Sequence, residues 1–423
     1  MFKKIFPCLL LSSLFASSLA QANICFADIT DFKKQKDLVS SPSSVSLASY
    51  LGTLKRTTGN FKAGSQWVIK SNQLSWIVSE LVAAPLYQSL LGKNLVSEIY
   101  LLCSKNNNFH VAMPYNKALE SFKTSSLSAP RQAGDFPFTC ILNGCRSTSD
   151  RSIQGFEKAL LASVLLYEDD IKGGNNFALI DGDQVTRVDF DDSLKFFDLE
   201  KISPGLTEAG LHPTYKKLFL EQGHSLQMFL SMLNQEMSSI KPNKFIKEYF
   251  KEYFSDVKGH FQVKKLLAAG LEILEVGPDL LNQHVDRVFN ELGTVIPQKL
   301  WNSYYTIPQT YVMTGPLDPY AVTQSIFQDF ISEKDHPVFS SAFHSIHQSI
   351  IALISQVPQQ STFLRSGNFE TVLMDQIEFS FGQEPIYKKL ATIAKAHLTY
   401  NYIALYRACK QWKTMIDIGH DEL

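Results

Sequence analysis

A polar segment near the middle of the chain carries residue types suited to phosphate and metal chemistry. Residues 167–176 read Tyr-Glu-Asp-Asp-Ile-Lys-Gly-Gly-Asn-Asn, and a short apolar run, Phe177–Ile180, follows them. Asp181-Gly182 supplies turn residues for a hairpin whose second strand, Val185–Val188, ends at Asp189. Mg²⁺ takes oxygen ligands, usually one or two carboxylates together with substrate phosphates. The loop, the hairpin and the terminal acid therefore indicate a candidate metal and phosphate site.

The elements that precede this segment predict a small β-rich unit. A strand-like stretch over Val45–Leu54 is followed by a polar loop and by a strand, Trp67–Lys70, that ends in lysine. Apolar spacing predicts a helix over Ser75–Leu91, and Gly92 follows it in the usual terminating position. Pro85 lies inside this helix and is expected to kink or split it.

A second hairpin completes this unit, and helical patterns dominate the rest of the chain. Ile99–Cys103 and Phe109–Met113 form the hairpin, and Pro114-Tyr115 ends it. The polar stretch Asp31–Ser46 is interpreted as a linker or loosely packed arm, and residues 116–150 are irregular. Helices are predicted over 153–166, 213–234, 242–255, 262–274, 279–292, 318–332, 340–357 and 386–416.

The order strand, strand with lysine, helix with Glu80, hairpin, loop and acid resembles the protein-kinase-like superfamily. The atypical branch is the most similar, meaning phosphoinositide kinases and secreted bacterial effector kinases, and the resemblance covers roughly Val45–Leu199. It implies an α+β, two-lobed kinase-like fold, in which a small lobe built on an antiparallel sheet precedes a mainly helical large lobe and a C-terminal all-α extension. The implied boundaries are 23–115, 116–300 and 301–423.

The resemblance also implies roles for three charged residues. Lys70 would bind the phosphates of ATP, as the lysine at the end of the equivalent kinase strand does. Glu80 would orient Lys70, with Glu98 as the alternative. Asp170 would accept the proton of the attacking hydroxyl, with Asp169 as the alternative.

Asn176 and Asp189 are the implied ligands of Mg²⁺ or Mn²⁺. Asn175 follows Asp170 by the usual family spacing of five residues, whereas Asn176 precedes Asp189 by the usual spacing of thirteen. Both spacings cannot hold without an insertion of one residue. Asn176 is preferred because the hairpin fixes its position relative to Asp189.

Adenine is expected to meet the backbone of residues 113–115 and two apolar walls. Met113 and Tyr115 would offer backbone groups, and Val68 and Leu179 would contact the ring. The implied activity is ATP-dependent phosphoryl transfer to a hydroxyl group of a protein or a phosphoinositide. The sequence lacks a His-Arg-Asp triplet, has Asp191 where the family has glycine, and has a degenerate glycine-rich loop. A pseudokinase, or a helical protein that binds a partner or a phosphoinositide, is therefore the alternative.

A basic cluster in the helical half is a second candidate site. Lys244, Lys247 and Lys251 fall on one face of a predicted helix and could bind a polyanion, such as an inositol phosphate. The competing interpretation is a solvated helix face on which Lys244 pairs with Glu248. The net charge of −1 gives the whole chain no basic bias of the kind that favours nucleic acid.

The two ends of the chain carry targeting signals. Lys3-Lys4, an apolar stretch and Ala20-Gln21-Ala22 form a secretory signal peptide over 1–22, so the mature chain is expected to begin near Asn23. No later apolar run is long enough to cross a bilayer. The ending His-Asp-Glu-Leu is an endoplasmic-reticulum retrieval signal in a eukaryotic protein, whereas a bacterial protein would be an exported, host-directed effector.

Cysteine usage leaves the disulfide pattern open. Cleavage of the signal peptide leaves five cysteines, an odd number, so at least one thiol is free or pairs between chains. Cys140 and Cys145 either close a small loop or stay as two thiols. No spacing of cysteine and histidine matches a zinc site.

Overall fold

The described part of this 423-residue chain has an α+β architecture. A mixed six-stranded sheet forms its N-terminal region and the C-terminal part is mostly helical, which is consistent with a two-lobed kinase-like fold. The computed structural model describes residues 25–38, 48–104, 108–117, 119–121, 154–166, 168, 177–181, 184–191, 193–194, 263–305, 307, 310–314, 337–356 and 376–417.

The sheet is antiparallel except at one edge. Its strands are β1 (Cys25–Asp28), β2 (Phe32–Asp37), β3 (Ala48–Leu54), β4 (Gln66–Ser71), β5 (Tyr100–Cys103) and β6 (Phe109–Pro114). They lie in the order β1-β5-β6-β4-β3-β2, and β1 pairs with β5 in parallel. The central strand β4 lies between β3 and β6, so Lys70 is carried by the middle of the sheet.

The segment expected to be a polar linker is in part a strand, so that prediction is wrong for Phe32–Asp37. This segment forms the edge strand β2, in which Phe32 is buried and Lys33–Asp37 are mostly exposed. An edge strand leaves one side unpaired, and lysine is common there because it opposes pairing with other chains. Polar composition therefore did not distinguish a charged edge strand from a linker.

A disulfide that the sequence analysis did not predict joins β1 to β5. Cys25 and Cys103 are bonded, with their Cα atoms 5.5 Å apart. Among the described cysteines, Cys409 is a free, buried thiol. Cys140 and Cys145 lie outside the described residues.

Helix α1 (Leu74–Leu91) packs against the sheet as the central helix of the protein. It runs through Pro85 without a break, so the expected split does not occur. Proline removes one helical hydrogen bond, but most residues of α1 are buried and packing holds the helix together. Contrary to the expectation for the chain after the signal peptide, this helix is the one described segment long and apolar enough to cross a membrane by length and composition, and 72% of it is buried within the protein.

A second, three-stranded sheet carries the predicted hairpin. Helix α2 (Phe156–Leu165) precedes it, and its strands are β7 (Leu119–Ser121), β8 (Phe177–Ile180) and β9 (Gln184–Arg187). Ile180 pairs with Gln184, so three residues form the turn, and Asp181 begins it with a φ of 54°. The hairpin is therefore confirmed, with a turn one residue longer than the tightest type.

The C-terminal part is mostly helical, as predicted. Its helices are α3 (Val263–Val276), α4 (Pro278–Val295), α5 (Gln298–Tyr304), α6 (Pro337–Gln356) and α7 (Ile386–Asp417). The helices predicted over 213–234, 242–255 and 318–332 lie outside the described residues. Two short strands that pair with each other, β10 (Thr310–Thr314) and β11 (Gln376–Ser380), were not predicted. Their pairing joins segments far apart in sequence, which no local pattern reports.

One hydrophobic core connects the first sheet, the hairpin and the helices. It includes Val78 of α1, Leu161 of α2, Leu179 of β8, Phe289 of α4 and Tyr402 of α7. A smaller core lies on the other face of the six-stranded sheet around Trp67 and Ile69, and aromatic rings pack against it. Strand β4 is therefore fixed from both faces, which positions its lysine.

Candidate active site

The alternation of side chains along β4 places Lys70 on the α1 side of the sheet. Trp67 and Ile69 point into the smaller core, so Val68 and Lys70 share the opposite face. The Lys70 ammonium lies 2.5 Å from Glu80 Oε1 and 2.5 Å from Asp189 Oδ1. Lys70 thereby connects helix α1 to the segment that follows β9.

Glu80 is the carboxylate that faces Lys70, as expected. Glu80 lies in the first half of α1 and is fully buried. Glu98, the alternative, is exposed and accepts a hydrogen bond from the hydroxyl group of Tyr100. The structure thus brings Glu80, and not Glu98, to Lys70.

Burial and charge act against each other at this ion pair. Burial alone lowers the pKa of Lys70, but the charges of Asp189, Glu80 and Asp191 outweigh it, so the pKa lies well above its usual value. Burial raises the pKa of Glu80, and the Lys70 charge only partly offsets that effect. Lys70 therefore remains a cation at neutral pH and is the group that permits a carboxylate to stay buried.

A second contact between the same two segments lies beside the first. Asn72 Nδ2 donates to Asp191 Oδ2 at 3.2 Å. Lys70 and Asn72 are two residues apart, and so are their partners Asp189 and Asp191. The segment after β9 is therefore held against the end of β4 at two positions. The carboxylates of Asp189 and Asp191 both lie beside that end of the strand.

A buried polar cluster lies behind Asp189. The Arg187 guanidinium donates from Nη2 to Glu168 Oε2 at 2.8 Å and to the backbone carbonyl of Asp189 at 3.0 Å. Ser193 Oγ donates to Glu168 Oε2 at 2.7 Å. The side chains of Arg187 and Glu168 are both fully buried. This cluster connects the end of β9 to the residue that precedes Asp169 and Asp170.

Aromatic residues cover this cluster on the α1 side. The ring of Tyr87 stacks on Phe190 with centroids 5.0 Å apart, and the Arg187 guanidinium lies 5.6 Å from the Tyr87 centroid. Burial raises the pKa of Tyr87. Tyr87 therefore stays neutral, and its hydroxyl oxygen lies 3.4 Å from Ser193 Oγ, whose own proton is donated to Glu168.

The residues expected to contact adenine lie in different environments. Val68 and Met113 are paired across β4 and β6 and are half-buried, so both can line a cleft on the Lys70 side. Leu179 is fully buried in the large core, so its side chain is not accessible to an adenine ring, contrary to the expectation. The amide of Tyr115 donates to the carbonyl of Gln66 at 2.9 Å. Tyr115 can therefore offer adenine its carbonyl group and its exposed ring, but not its amide.

Several predicted site residues lie outside the described residues. They are Asp169, Asp170, Asn175, Asn176, Lys244, Lys247 and Lys251. Their roles, and the binding of an inositol phosphate, stay predictions.

The donor atoms near Lys70 suit a hard divalent cation that also binds phosphate. Within the described residues, no group of three or more His, Cys, Asp or Glu forms a metal site by itself. Mg²⁺ needs only one or two carboxylates where substrate phosphates supply the remaining oxygens. The side chain of Asp189 is 35% exposed, so its carboxylate is accessible to such an ion. The residues present fit Mg²⁺ or Mn²⁺ bound together with a nucleotide.

The sequence analysis missed Glu168, Arg187 and Asn72. A basic residue at the end of the short strand β9 and an acid three residues after α2 were the available signals. Nineteen residues separate Arg187 from Glu168, so no local spacing rule connects the two.

Comparisons with known proteins give remote similarities. No protein-family model matches the chain, and no curated protein matches it. The chain is similar to the crystal structure of CtkA, a proinflammatory kinase of Helicobacter pylori. The match covers 62% of this chain and 87% of the CtkA chain, at 15% sequence identity and a TM-score of 0.37. A second match is the crystal structure of an N-terminal 618-residue fragment of LepB from Legionella pneumophila. It covers 85% of this chain and 78% of the LepB fragment, at 10% sequence identity and a TM-score of 0.23. Both TM-scores are low, so the interpretation of the site rests on its own geometry.

Proposed function

We propose that this chain is an ATP- and divalent-metal-dependent phosphotransferase with a kinase-like fold. It transfers the γ-phosphoryl group of ATP to a hydroxyl group of a protein or a phosphoinositide. The observation that carries the proposal is the position of the Lys70 ammonium between Glu80 and Asp189. Lys70 and Asp189 are 119 residues apart, so this contact is a product of the fold and not of local sequence.

The exposure of the Lys70, Glu80 and Asp189 side chains supports a different task for each. Glu80 is fully buried, so it would act by orienting Lys70 and not by contacting ATP. The Lys70 side chain is 10% exposed, so its ammonium would be able to reach the phosphates of ATP. Asp189 is more exposed and would hold Mg²⁺ or Mn²⁺ together with Asn176. The bound ion would supply positive charge that stabilises the phosphates during transfer.

Proton transfer is assigned to the segment that Glu168 begins. Asp170, or Asp169 in its place, would accept the proton of the substrate hydroxyl as its oxygen bonds to the γ-phosphorus. The bond from that phosphorus to ADP breaks in the same reaction, and the protein mainly positions the groups. Glu168 directly precedes this pair and is itself anchored by Arg187.

We also propose that the protein is exported. The Cys25–Cys103 disulfide lies just after the predicted cleavage point, and disulfides persist in oxidising compartments. The signal peptide and the His-Asp-Glu-Leu ending lie outside the described residues, so both stay predictions.

Labelled ATP tests the proposal directly. The purified protein, incubated with γ-labelled ATP and Mg²⁺ or Mn²⁺, is expected to label itself or a generic protein or phosphoinositide acceptor. Metal-dependent ATP binding without transfer would instead indicate the pseudokinase alternative. An absence of metal-dependent ATP binding would contradict the nucleotide site itself.

A further inference from the structure

Arg187 is a fully buried cation at the point where β9 ends and the segment carrying Asp189 begins. Its Nη2 donates to two acceptors, Glu168 Oε2 at 2.8 Å and the carbonyl oxygen of Asp189 at 3.0 Å. Only Val188 separates Arg187 from Asp189, so this contact restrains the backbone conformation of Asp189. The orientation of the Asp189 carboxylate follows from that backbone.

Glu168 is restrained from more than one side. Besides Arg187, it accepts from Ser193 Oγ at 2.7 Å, and its backbone amide donates to the carbonyl of Ser163 in α2 at 3.0 Å. The residues that follow are Asp169 and Asp170, the candidates for accepting the substrate proton. Arg187 and Glu168 therefore connect the expected catalytic segment to the expected metal ligand through one buried ion pair.

Helix α1 contacts both this cluster and Lys70. Tyr87 contacts the Arg187 guanidinium, stacks on Phe190, and its hydroxyl oxygen lies 3.4 Å from Ser193 Oγ. Glu80, two turns earlier on the same helix, contacts Lys70. A displacement of Arg187 would therefore change the position of Asp189 relative to Lys70.

A stabilising role alone does not account for this pair. Buried ion pairs cost desolvation energy, and well-packed apolar residues of similar volume often serve stability equally well. An apolar replacement could fill the same space but could not donate to the carbonyl of Asp189. The hydrogen bond to that carbonyl is thus the property that requires a guanidinium at this position.

We propose that Arg187 and Glu168 are positioning residues that fix Asp189 for metal binding. The inference rests on the proposed function, because it assigns these residues to the same site. Arg187 holds the backbone of Asp189, and Glu168 holds the guanidinium in the orientation that reaches it. The pair acts on metal affinity through Asp189 and contacts neither ATP nor the acceptor.

The test measures how much Mn²⁺ is needed for half-maximal ATP binding by the full chain. Arg187→Lys keeps the charge but loses the planar fork, and Glu168→Gln keeps the shape but loses the charge. Both variants are expected to raise the required Mn²⁺ concentration by about 10- to 100-fold, the usual effect of losing a residue that supports a metal ligand. Lys395→Met is the control: it removes the ion pair with Asp286 between α4 and α7 and should leave the Mn²⁺ requirement unchanged.

Melting temperatures separate positioning from simple destabilisation. A folded Arg187→Lys or Glu168→Gln protein with the Mn²⁺ requirement of the wild type would overturn the inference. If Arg187→Lys does not fold, Glu168→Gln and Ser193→Ala carry the test, because both are smaller changes to the same cluster. Wild-type protein that shows no metal-dependent ATP binding would contradict the proposed function before any variant is compared.

Discussion

Glu80 and Tyr87 lie two turns apart on one side of α1, and each holds a buried cation of the candidate site. Glu80 contacts Lys70 of β4, and Tyr87 contacts Arg187 of β9. Both cations also contact Asp189, Lys70 through the carboxylate and Arg187 through the backbone carbonyl. One helix face therefore sets the position of Asp189 relative to both cations.

Removing the Lys70 ammonium is expected to stop phosphate transfer. Lys70→Met should lower the transfer of labelled phosphate by about 10²- to 10³-fold, the usual effect of losing one preorganised charged or hydrogen-bonding group at a reacting centre. Lys389→Met is a matched control, because Lys389 is equally buried but lies over the ring of Phe381 in the helical part. Equal activity in the two variants would show that Lys70 does not bind the phosphates.

The same substitution is expected to make stability depend on pH. Glu80 has a pKa raised by burial, and loss of Lys70 would raise it further. A carboxyl group with a raised folded-state pKa destabilises the protein as pH rises from its unfolded-state pKa through its folded-state pKa. Lys70→Met should therefore lower the free energy of unfolding by about 3–5 kcal/mol at neutral or higher pH, and by less at about pH 5.

Denaturant unfolding of single and double variants checks this expectation. Adding Glu80→Gln to Lys70→Met should restore part of the lost stability at about pH 8, because no buried carboxylate then remains unpaired. A loss that is the same at both pH values, with no rescue by Glu80→Gln, would contradict the assignment of Glu80 as the charge that Lys70 neutralises.

Asp189 is expected to be the carboxylate that metal binding requires. Asp189→Asn should abolish the Mg²⁺-dependent increase in melting temperature that ATP produces. Asp286→Asn is the matched control, since Asp286 is also a partly exposed carboxylate paired with a buried lysine, Lys395. If Mg-ATP stabilises Asp189→Asn as much as it stabilises the control, Asp189 is not a metal ligand.

The paired asparagines provide a prediction from the sequence alone, because both lie outside the described residues. Asn176→Ala should lower the transfer of labelled phosphate by at least about tenfold more than Asn175→Ala, because only one amide can face the metal with Asp189. The reverse order would move the ligand to Asn175 and favour the spacing counted from Asp170.

The disulfide is expected to contribute substantially to stability. Replacing Cys25 and Cys103 together by alanine should lower the free energy of unfolding by about 2–4 kcal/mol, since the bond closes a long segment of 78 residues. Reducing agent should destabilise the wild type by more than it destabilises the double variant, in which only a Cys140–Cys145 bond could still be reduced. Equal stability of the two oxidised proteins would show that the bond is not formed in solution.

Patterns of local origin were sufficient to predict the parts that bear Lys70 and Asp189. Strand β4, helix α1 and the β8–β9 hairpin each follow from side-chain periodicity and turn residues, and they place Lys70 against Glu80. The helices α3, α4, α6 and α7 were predicted to within a few residues for the same reason. The pairing of Lys70 with Glu80 did not follow from these local patterns but was implied by the resemblance to the kinase-like superfamily.

Contacts between distant segments explain what the sequence could not predict. Glu168 appeared as one acid among several, and its burial against Arg187 depends on how α2 packs beside the hairpin. The Cys25–Cys103 bond depends on β1 joining the sheet next to β5. Pro85 disrupts an isolated helix, but α1 is enclosed by the core and remains continuous.

The two edges of the six-stranded sheet differ in how they meet solvent, and this bears on association between copies of the protein. The outer strand β2 exposes Lys33, Lys34 and Lys36, and its pairing with β3 shifts register between Lys34 and Lys36. Strand β1 at the other edge has only four residues and is bonded to β5 through Cys25. Charge, irregular register and short length each oppose the addition of a further strand. We therefore expect concentrated solutions of the protein to resist edge-to-edge aggregation through this sheet.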